Sequence, residues 1–443
     1  MRSLIRRIAG AKSSGFAIIQ TVLANAGVLV VNIASGIITA RALGPSGRGA
    51  LAAILMWPQF LGYGLSLGIP VASLYWLKRR PDDARQIVGI GMLLSAILGT
   101  VAAAVGFFII PFSLRTYSPA VIGLARSWVV VTPLSLLAVT IIAQVQAAGA
   151  FTKFNLFRFL SPLSVLLVIV LATILGHLTF GMAALAYLLA ATPATIWIGA
   201  WAWKHYRPII SRPIATSRLL IGYGVRAWGA DLLATIASQV DRILVVGLLN
   251  PESMGLYVVA QSAAGLLSVL PSAVSPITLP QSSGLDTAGI MELTGRAVRA
   301  TFYVMIAASL PLFVLGGLLL EIVYGQNFSG ASAVLPFLLV EAIADGLTSV
   351  LAQAFLASGF PGTVTLLEAV GVSTSIPLLY FLIPRFGLRG AGLALMIATL
   401  CRFVLVLISF PRKLKSRPPG FVMPAGEFLA LVNRVWKTAP SDT

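Results

Sequence analysis

Three carboxylates interrupt apolar stretches toward the end of a 443-residue chain: Glu341 and Asp345, four residues apart, and Glu368. A charge at the centre of a bilayer costs at least ~2.5 kcal/mol unless it faces water or a partner. Positions i and i+4 share a helical face, so Glu341 and Asp345 repel one another until a proton, a small cation or a guanidinium neutralises one of them. That arrangement suits proton or sodium coupling. It suits a structural ion pair with Arg402 equally, and both readings stand. A second polar stripe runs through 219–247, where Asp231, Thr235, Ser238 and Arg242 follow at intervals of 4, 3 and 4 and so lie on one face. Arg226 and Asp241 fall off that stripe. Arg226 is placed to snorkel toward the membrane face, and Asp241 to pair with Arg242 or with a basic group on the second span.

The helices that must carry these residues are visible as long apolar runs. Residues 16–40 and 50–76 each exceed the about 20 residues that cross a bilayer as a helix. The segment R-A-L-G-P-S-G-R-G over 41–49 joins them as a tight turn, with Pro45 fixing φ and Gly44, Gly47 and Gly49 free to take other conformations. The pattern returns 206 residues later without a gap. Asn25 falls on Asp231, Asn32 on Ser238, Pro45 on Pro251, Gly49 on Gly255, Ser66 on Ser272 and Pro70 on Pro276. We read this as an internal repeat of one helical bundle, an architecture common among secondary transporters. Both copies then turn polar stripes toward a common place, and a water-filled central cleft is expected.

Composition agrees. The chain is 58% apolar and only 10% charged, with a mean hydropathy of +0.96. Soluble domains carry about 25% charged residues, so the membrane class is the one left. A single cysteine, Cys401, excludes a disulfide framework, and two histidines, His177 and His205, exclude most histidine-based zinc sites. No cofactor or metal is expected. The net charge of +18 would suggest nucleic acid in a soluble protein. Here the basic residues sit in loops, and that reading is dropped.

Twelve candidate spans follow: 16–40, 50–76, 87–112, 121–148, 157–176, 179–203, 219–247, 253–279, 297–322, 331–356, 363–384 and 388–410. Loops on one side hold 22 Lys and Arg, those on the other 6, and 3 lie inside spans. The excess puts both termini in the cytoplasm. The basic, proline-containing stretch 204–218 separates an N-terminal six-helix lobe (1–203) from a C-terminal one (219–410), the two running in the same direction about a pseudo-twofold axis along the membrane normal. A basic tail, 411–443, carries Phe428, Leu431, Val432, Val435 and Trp436 on one helical face, as an amphipathic surface helix would. The expected fold is therefore all-α and membrane-embedded.

Some motif matches carry nothing. Gly64-Leu65-Ser66-Leu67-Gly68 fits G-x-S-x-G but lies in a membrane helix without the strand–turn–helix that a nucleophile elbow needs. Its two glycines read as a small-x-x-x-small packing contact. The chain has no P-loop and is not expected to hydrolyse ATP or to be an enzyme.

At A-R-A-L-G-P-S-G-R-G (40–49), L-S-L-G-I-P (65–70), S-G-F-P (358–361) and I-P-R-F-G-L-R-G-A-G-L-A (383–394), the chain resembles bacterial polysaccharide exporters. These are the O-antigen and capsule-type flippases of the multidrug/oligosaccharidyl-lipid/polysaccharide export superfamily, and the resemblance covers essentially the whole membrane region. It implies a MATE-like fold in the bacterial inner membrane. The implied activity moves a polyprenyl-diphosphate-linked oligosaccharide from the cytoplasmic to the outer leaflet by alternating access, in lipopolysaccharide or other surface-polysaccharide biosynthesis. Its implied partners are that lipid-linked oligosaccharide, membrane lipids, H+ or Na+, and polysaccharide polymerase machinery. Under this resemblance Arg242, Arg402, Arg41 and Arg48 are the candidate cationic groups, with Arg242 and Arg402 holding the diphosphate. Asn25 and Asn32 hydrogen-bond sugar hydroxyls, and Asp231 and Ser238 complete the substrate set. Glu341, Asp345 and Glu368 are the ion-coupling candidates. The rivals are a multidrug exporter of the same superfamily, which wants a more acidic and aromatic cavity, and a peptidoglycan-precursor flippase, which wants two further helices. A glycan polymerase or ligase is excluded by its need for a large outward loop, since 113–120 and 323–330 are too short.

Overall fold

The computed structural model describes residues 2–269, 271, 272, 274 and 286–421; of residues 2–24, 26, 230, 231, 234 and 238 it describes the backbone alone. The helices in chain order are α1 (Arg2–Gly64), α2 (Ile69–Arg79), α3 (Ala84–Ser113), α4 (Pro119–Trp128), α5 (Thr132–Ala147), α6 (Phe151–Ile174), α7 (Phe180–Leu189), α8 (Thr192–Tyr206), α9 (Pro213–Leu248), α10 (Pro251–Gly265), α11 (Thr287–Tyr324), α12 (Leu335–Ala357) and α13 (Pro361–Ser409). No strand occurs among the described residues. The amphipathic segment expected in the tail lies outside them, as does most of 270–285.

Proline and its capping partners set many of the helix starts. Pro119 follows Ser118, whose Oγ accepts from the Val121 amide at 3.5 Å, and Thr179 caps α7 by accepting from the Met182 amide at 3.2 Å. A proline in the first turn lacks only a donor that would be unpaired there anyway. Two helices are bent where the backbone leaves helical geometry, α1 at Gly44 (φ 67, ψ −180) and α13 at Gly387 (φ 57, ψ −133). Both φ values belong to a region that side chains disfavour.

Eight helical stretches among the described residues are long and apolar enough to cross a membrane. One of them, Pro361–Leu414, has 54 residues. At 1.5 Å per residue that is about 80 Å of helix, against about 30 Å of hydrocarbon, so it passes twice with Gly387 at the bend. Gly27–Gly64, 38 residues long and bent at Gly44, follows the same logic. Helices α9 and α10 lie in the seventh and eighth expected spans but are not among the eight; a count of twelve stays an expectation from the repeat.

The chain divides into two compact units. The first comprises Met1–Val259, Leu320–Ala331 and Ile383–Leu388; the second comprises Ala260–Leu319, Ser332–Leu382 and Arg389–Thr443. In the first, α1 packs on α6 and α7, α3 on α5, and α2 on both α5 and α9. Its buried core includes Leu51, Ile54, Ile87 and Ile90. Between α1 and α2 the helix breaks, with Leu67 (φ 48) and Gly68 (φ 67) in left-handed conformation. The broken turn is repaired from outside: Trp228 Nε1 donates to the Gly64 carbonyl at 3.0 Å, and Ser66 Oγ accepts from the Gly68 amide at 3.3 Å. In the second unit Val350, Leu351 and Phe355 of α12 pack with Val298 of α11 and Val406 of α13, and the Phe355 and Phe410 rings meet edge to face at 4.9 Å. Phe112, Ile174, Val314 and Leu366, by contrast, stand between 64% and 81% exposed. Apolar side chains presented outward so extensively belong against acyl chains.

Candidate functional site: a charged cluster within apolar helices

The second unit gathers four ionisable side chains that the sequence separates widely. Helix α12 supplies Glu341 and Asp345, the first arm of α13 supplies Glu368, and its second arm supplies Thr399 and Arg402. Arg402 Nη1 donates to Glu368 Oε2 at 2.6 Å, and Arg402 Nη2 donates to Asp345 Oδ1. Thr399 Oγ1 lies 3.4 Å from Glu341 Oε1 as its donor. The Arg402 side chain is 11% exposed, whereas Asp345 and Glu368 are 45% and 36% exposed. The guanidinium is thus held inside, with carboxylates opening outward from it. Ionised carboxylates that open at membrane depth need water, since hydrocarbon cannot solvate them.

Backbone shape makes room for this arrangement. A Cβ at Gly371 would lie 3.0 Å from Arg402 Cδ, so a glycine there lets the arginine stem pass across α13 to reach both acids. Arg402 Nε is buried with no hydrogen-bond partner among the described residues, so the two terminal nitrogens carry the fork's interactions. One guanidinium faces three carboxylates. Like-charge repulsion among the acids is thus only partly offset by the arginine.

Of the other residues proposed from sequence, Asn25 and Asn32 are exposed on α1, and Arg242 and Thr235 are half-buried on α9. The side chains of Asp231 and Ser238 lie outside the described residues. Arg41 is committed to protein: Nε donates to the Val323 carbonyl at 2.8 Å and Nη2 to the Ile322 carbonyl, which caps the carboxyl end of α11. Arg48 is half-buried, with its Nη2 3.9 Å from where a Gly36 Cβ would be and its Nε without a hydrogen-bond partner among the described residues. Asp241 is buried, and Tyr257, itself fully buried, donates its hydroxyl to Asp241 Oδ2 at 2.6 Å.

Sequence reasoning missed Thr399, Gly371 and Tyr257. Thr399 sits three residues before Arg402, a spacing that shares its helical face and was open to inspection. Tyr257 is 16 residues from Asp241 across a helix boundary, and no local spacing marks such a contact. The repeat gives no help there, because the equivalent positions of the first copy are Ser35 and Leu51.

Residues 38–333 match the family model described as polysaccharide biosynthesis protein. Over 199 residues the chain is 26% identical to a Haloferax volcanii protein named as the flippase AglR, covering 43% of this chain and 42% of that protein. It is 22% identical over 184 residues to a Shigella flexneri protein named as an O-antigen transporter, covering 40% and 43%. These matches span about two fifths of the relatives' length. Among solved structures, a lipid II flippase, MurJ, in an inward closed conformation superposes with a TM-score of 0.76 at 15% identity, over 96% of this chain and 94% of that one. An inward-facing MATE-family multidrug resistance transporter of the MOP superfamily superposes with 0.68 at 15% identity, over 93% and 96%. The helices are therefore arranged in the MATE- and MurJ-like fold of that superfamily.

Proposed function

Since the chain belongs to the polysaccharide biosynthesis protein family, we propose that it is a flippase for a polyprenyl-diphosphate-linked oligosaccharide. It carries the headgroup from the cytoplasmic to the outer leaflet of a bacterial inner membrane by alternating access. The observation that carries this reading is the Arg402 cluster: charge held by three helical segments among apolar helices, with its guanidinium 11% exposed and two of its carboxylates 45% and 36% exposed. A diphosphate and hydrated sugars need a hydrated, polar passage, because transfer of an unpaired ion into hydrocarbon is prohibitive. The cluster supplies a way to drive the passage.

In this mechanism Arg402 belongs with the coupling group. Both of its terminal nitrogens engage carboxylates, and a diphosphate would have to displace them to bind. Loading Glu341, Asp345 or Glu368 with a proton or Na+ loosens the acids' hold on Arg402 and repositions α12 against α13. Arg242, with Asp231 and Ser238 on its stripe, faces the headgroup, and Asn25 and Asn32 offer hydrogen bonds to sugar hydroxyls. Arg48, half-buried and with no hydrogen-bond partner for its Nε among the described residues, is the second cation for the diphosphate. The relatives named for flipping and for O-antigen transport support this reading.

The test is restoration of surface glycan in a strain deleted for the gene. Arg242→Ala and Glu341→Gln are each expected to abolish restoration at normal protein levels. If both restored it fully, the site would be wrong. A multidrug exporter is the second reading, favoured by one feature, the excess of carboxylates over guanidinium, which suits an organic cation. It predicts that the deletion strain becomes sensitive to cationic drugs while its surface glycan stays intact.

A further inference from the structure

The two copies of the repeat touch one another inside the first unit, at equivalent residues and in a reciprocal way. Helix α10 begins at Pro251 and the second arm of α1 begins at Pro45, its equivalent. Four residues on, Gly49 and Gly255 face across. A Cβ at Gly49 would lie 2.7 Å from the carbonyl carbon of Pro251, and a Cβ at Gly255 would lie 2.7 Å from the carbonyl carbon of Pro45. The carbonyl oxygens are closer still. Each P-x-x-x-G face thus lies directly on the other's backbone, and no side chain fits at either glycine. The surroundings are dry: Ala50, Leu51 and Met254 are at most 4% exposed.

A second seam joins the copies within the same unit and is built differently. A Cβ at Gly68 would lie 2.9 Å from the carbonyl carbon of Gly224, again a close backbone approach. Here, however, directional side-chain contacts fasten the crossing. Trp228 bonds to the Gly64 carbonyl, and the Tyr75 and Tyr223 rings stack at 4.1 Å with planes 13° apart. Its equivalent by the repeat would pair Val274 with Ile18, where bulky side chains replace both glycines. The Gly49–Gly255 seam is symmetric and held by smooth backbone contact; the Gly68–Gly224 seam is asymmetric and latched.

We propose that the Gly49–Gly255 seam is the outer gate. It parts when the protein opens outward, while the α2–α9 seam stays closed as the pivot. This rests on the alternating-access reading above and on residues 41–49 facing outward. Smooth glycine surfaces suit a contact that must open and close repeatedly, because nothing interlocks and closure restores tight packing.

The experiment uses the full chain in cells, with Cys401→Ala removing its one native thiol. A reporter, Ala50→Cys, is probed with a membrane-impermeant maleimide from outside. Gly255→Val is expected to wedge the seam and speed labelling about tenfold. Unchanged labelling in a membrane-inserted, monodisperse variant overturns the proposal. A second arm avoids the wedge. Ser46→Cys and Glu252→Cys, equivalent by the repeat, are bridged by a short cleavable bis-thiosulfonate. Glycan export is expected to stop on bridging and to return on reduction; export continuing at the unbridged rate overturns the gate. If the unmodified chain restores no glycan, the transport reading fails while the labelling arm still decides the seam.

Discussion

Replacing Arg402 with methionine, which keeps an unbranched stem but no charge, isolates what the guanidinium does. Removing one partner from a fully buried ion pair costs about 3–5 kcal/mol, because the other charge is left without compensation. At the opposite limit, an exposed pair contributes only about 0–1 kcal/mol. The cluster lies between these limits, with Arg402 11% exposed and its acids 45% and 36% exposed. Two contacts, each discounted for hydration to about 1 kcal/mol, give a loss of about 2 kcal/mol for Arg402→Met. The triple variant with Asp345→Asn and Glu368→Gln removes the stranded charges along with the arginine. It should recover to within about 1 kcal/mol of the parent, since neutral groups replacing an ion pair are often tolerated. Thermal unfolding of the detergent-purified protein, followed by tryptophan fluorescence, reads both. Two results would refute the reasoning: Arg402→Met as stable as the parent, or a triple variant less stable than the single one. Export separates the roles further. The triple variant should fold and fail to restore surface glycan, because it keeps the architecture and loses Arg402 and two of the three coupling acids.

Two further predictions follow from backbone and capping geometry. Gly44→Ala meets no atom within 4 Å, so its cost comes from φ +67 alone and is about 1–3 kcal/mol. Gly222→Ala, in the helical interior of α9 and equally uncrowded, should instead stabilise by about 0.4–1 kcal/mol. The same substitution therefore moves the melting temperature in opposite directions at the two sites, and a shift of the same sign at both would contradict the bend. Arg41→Gln removes the donors to the Val323 and Ile322 carbonyls and should cost about 0.5–1.5 kcal/mol without changing the apparent affinity for lipid-linked glycan. A loss of affinity at unchanged stability would return Arg41 to the substrate set.

Much of this was legible in the chain because membranes penalise so few things so heavily. An acid in an apolar run is conspicuous at a cost of ~2.5 kcal/mol or more, which is why Glu341, Asp345, Glu368 and Arg402 were all singled out. Their grouping was legible only as one of two open readings, an ion pair with Arg402. Arg402 reaches Asp345 across 57 residues and Glu368 across 34, and separation along a chain says nothing of which helix faces which. The resemblance made Arg402 a ligand for diphosphate beside that ion-pair reading; in the structure its two terminal nitrogens contact Glu368 and Asp345. The repeat register was readable for the opposite reason, since proline and glycine act on their own backbone and mark the same turns in both copies. Those marks identify Gly49 and Gly255 as equivalent, but only coordinates show each pressed on the other's proline.

Among the expected spans hydropathy is weakest on α9, and the weakness is informative. Helix α9 carries Arg226, Asp231, Asp241 and Arg242, which lowers its mean hydropathy. A helix lining a hydrated passage must be polar on that face, and averaging over its whole circumference hides the apolar remainder. Helix α9, kept as a span here by the repeat, is the segment that the proposed passage would set against a polar headgroup.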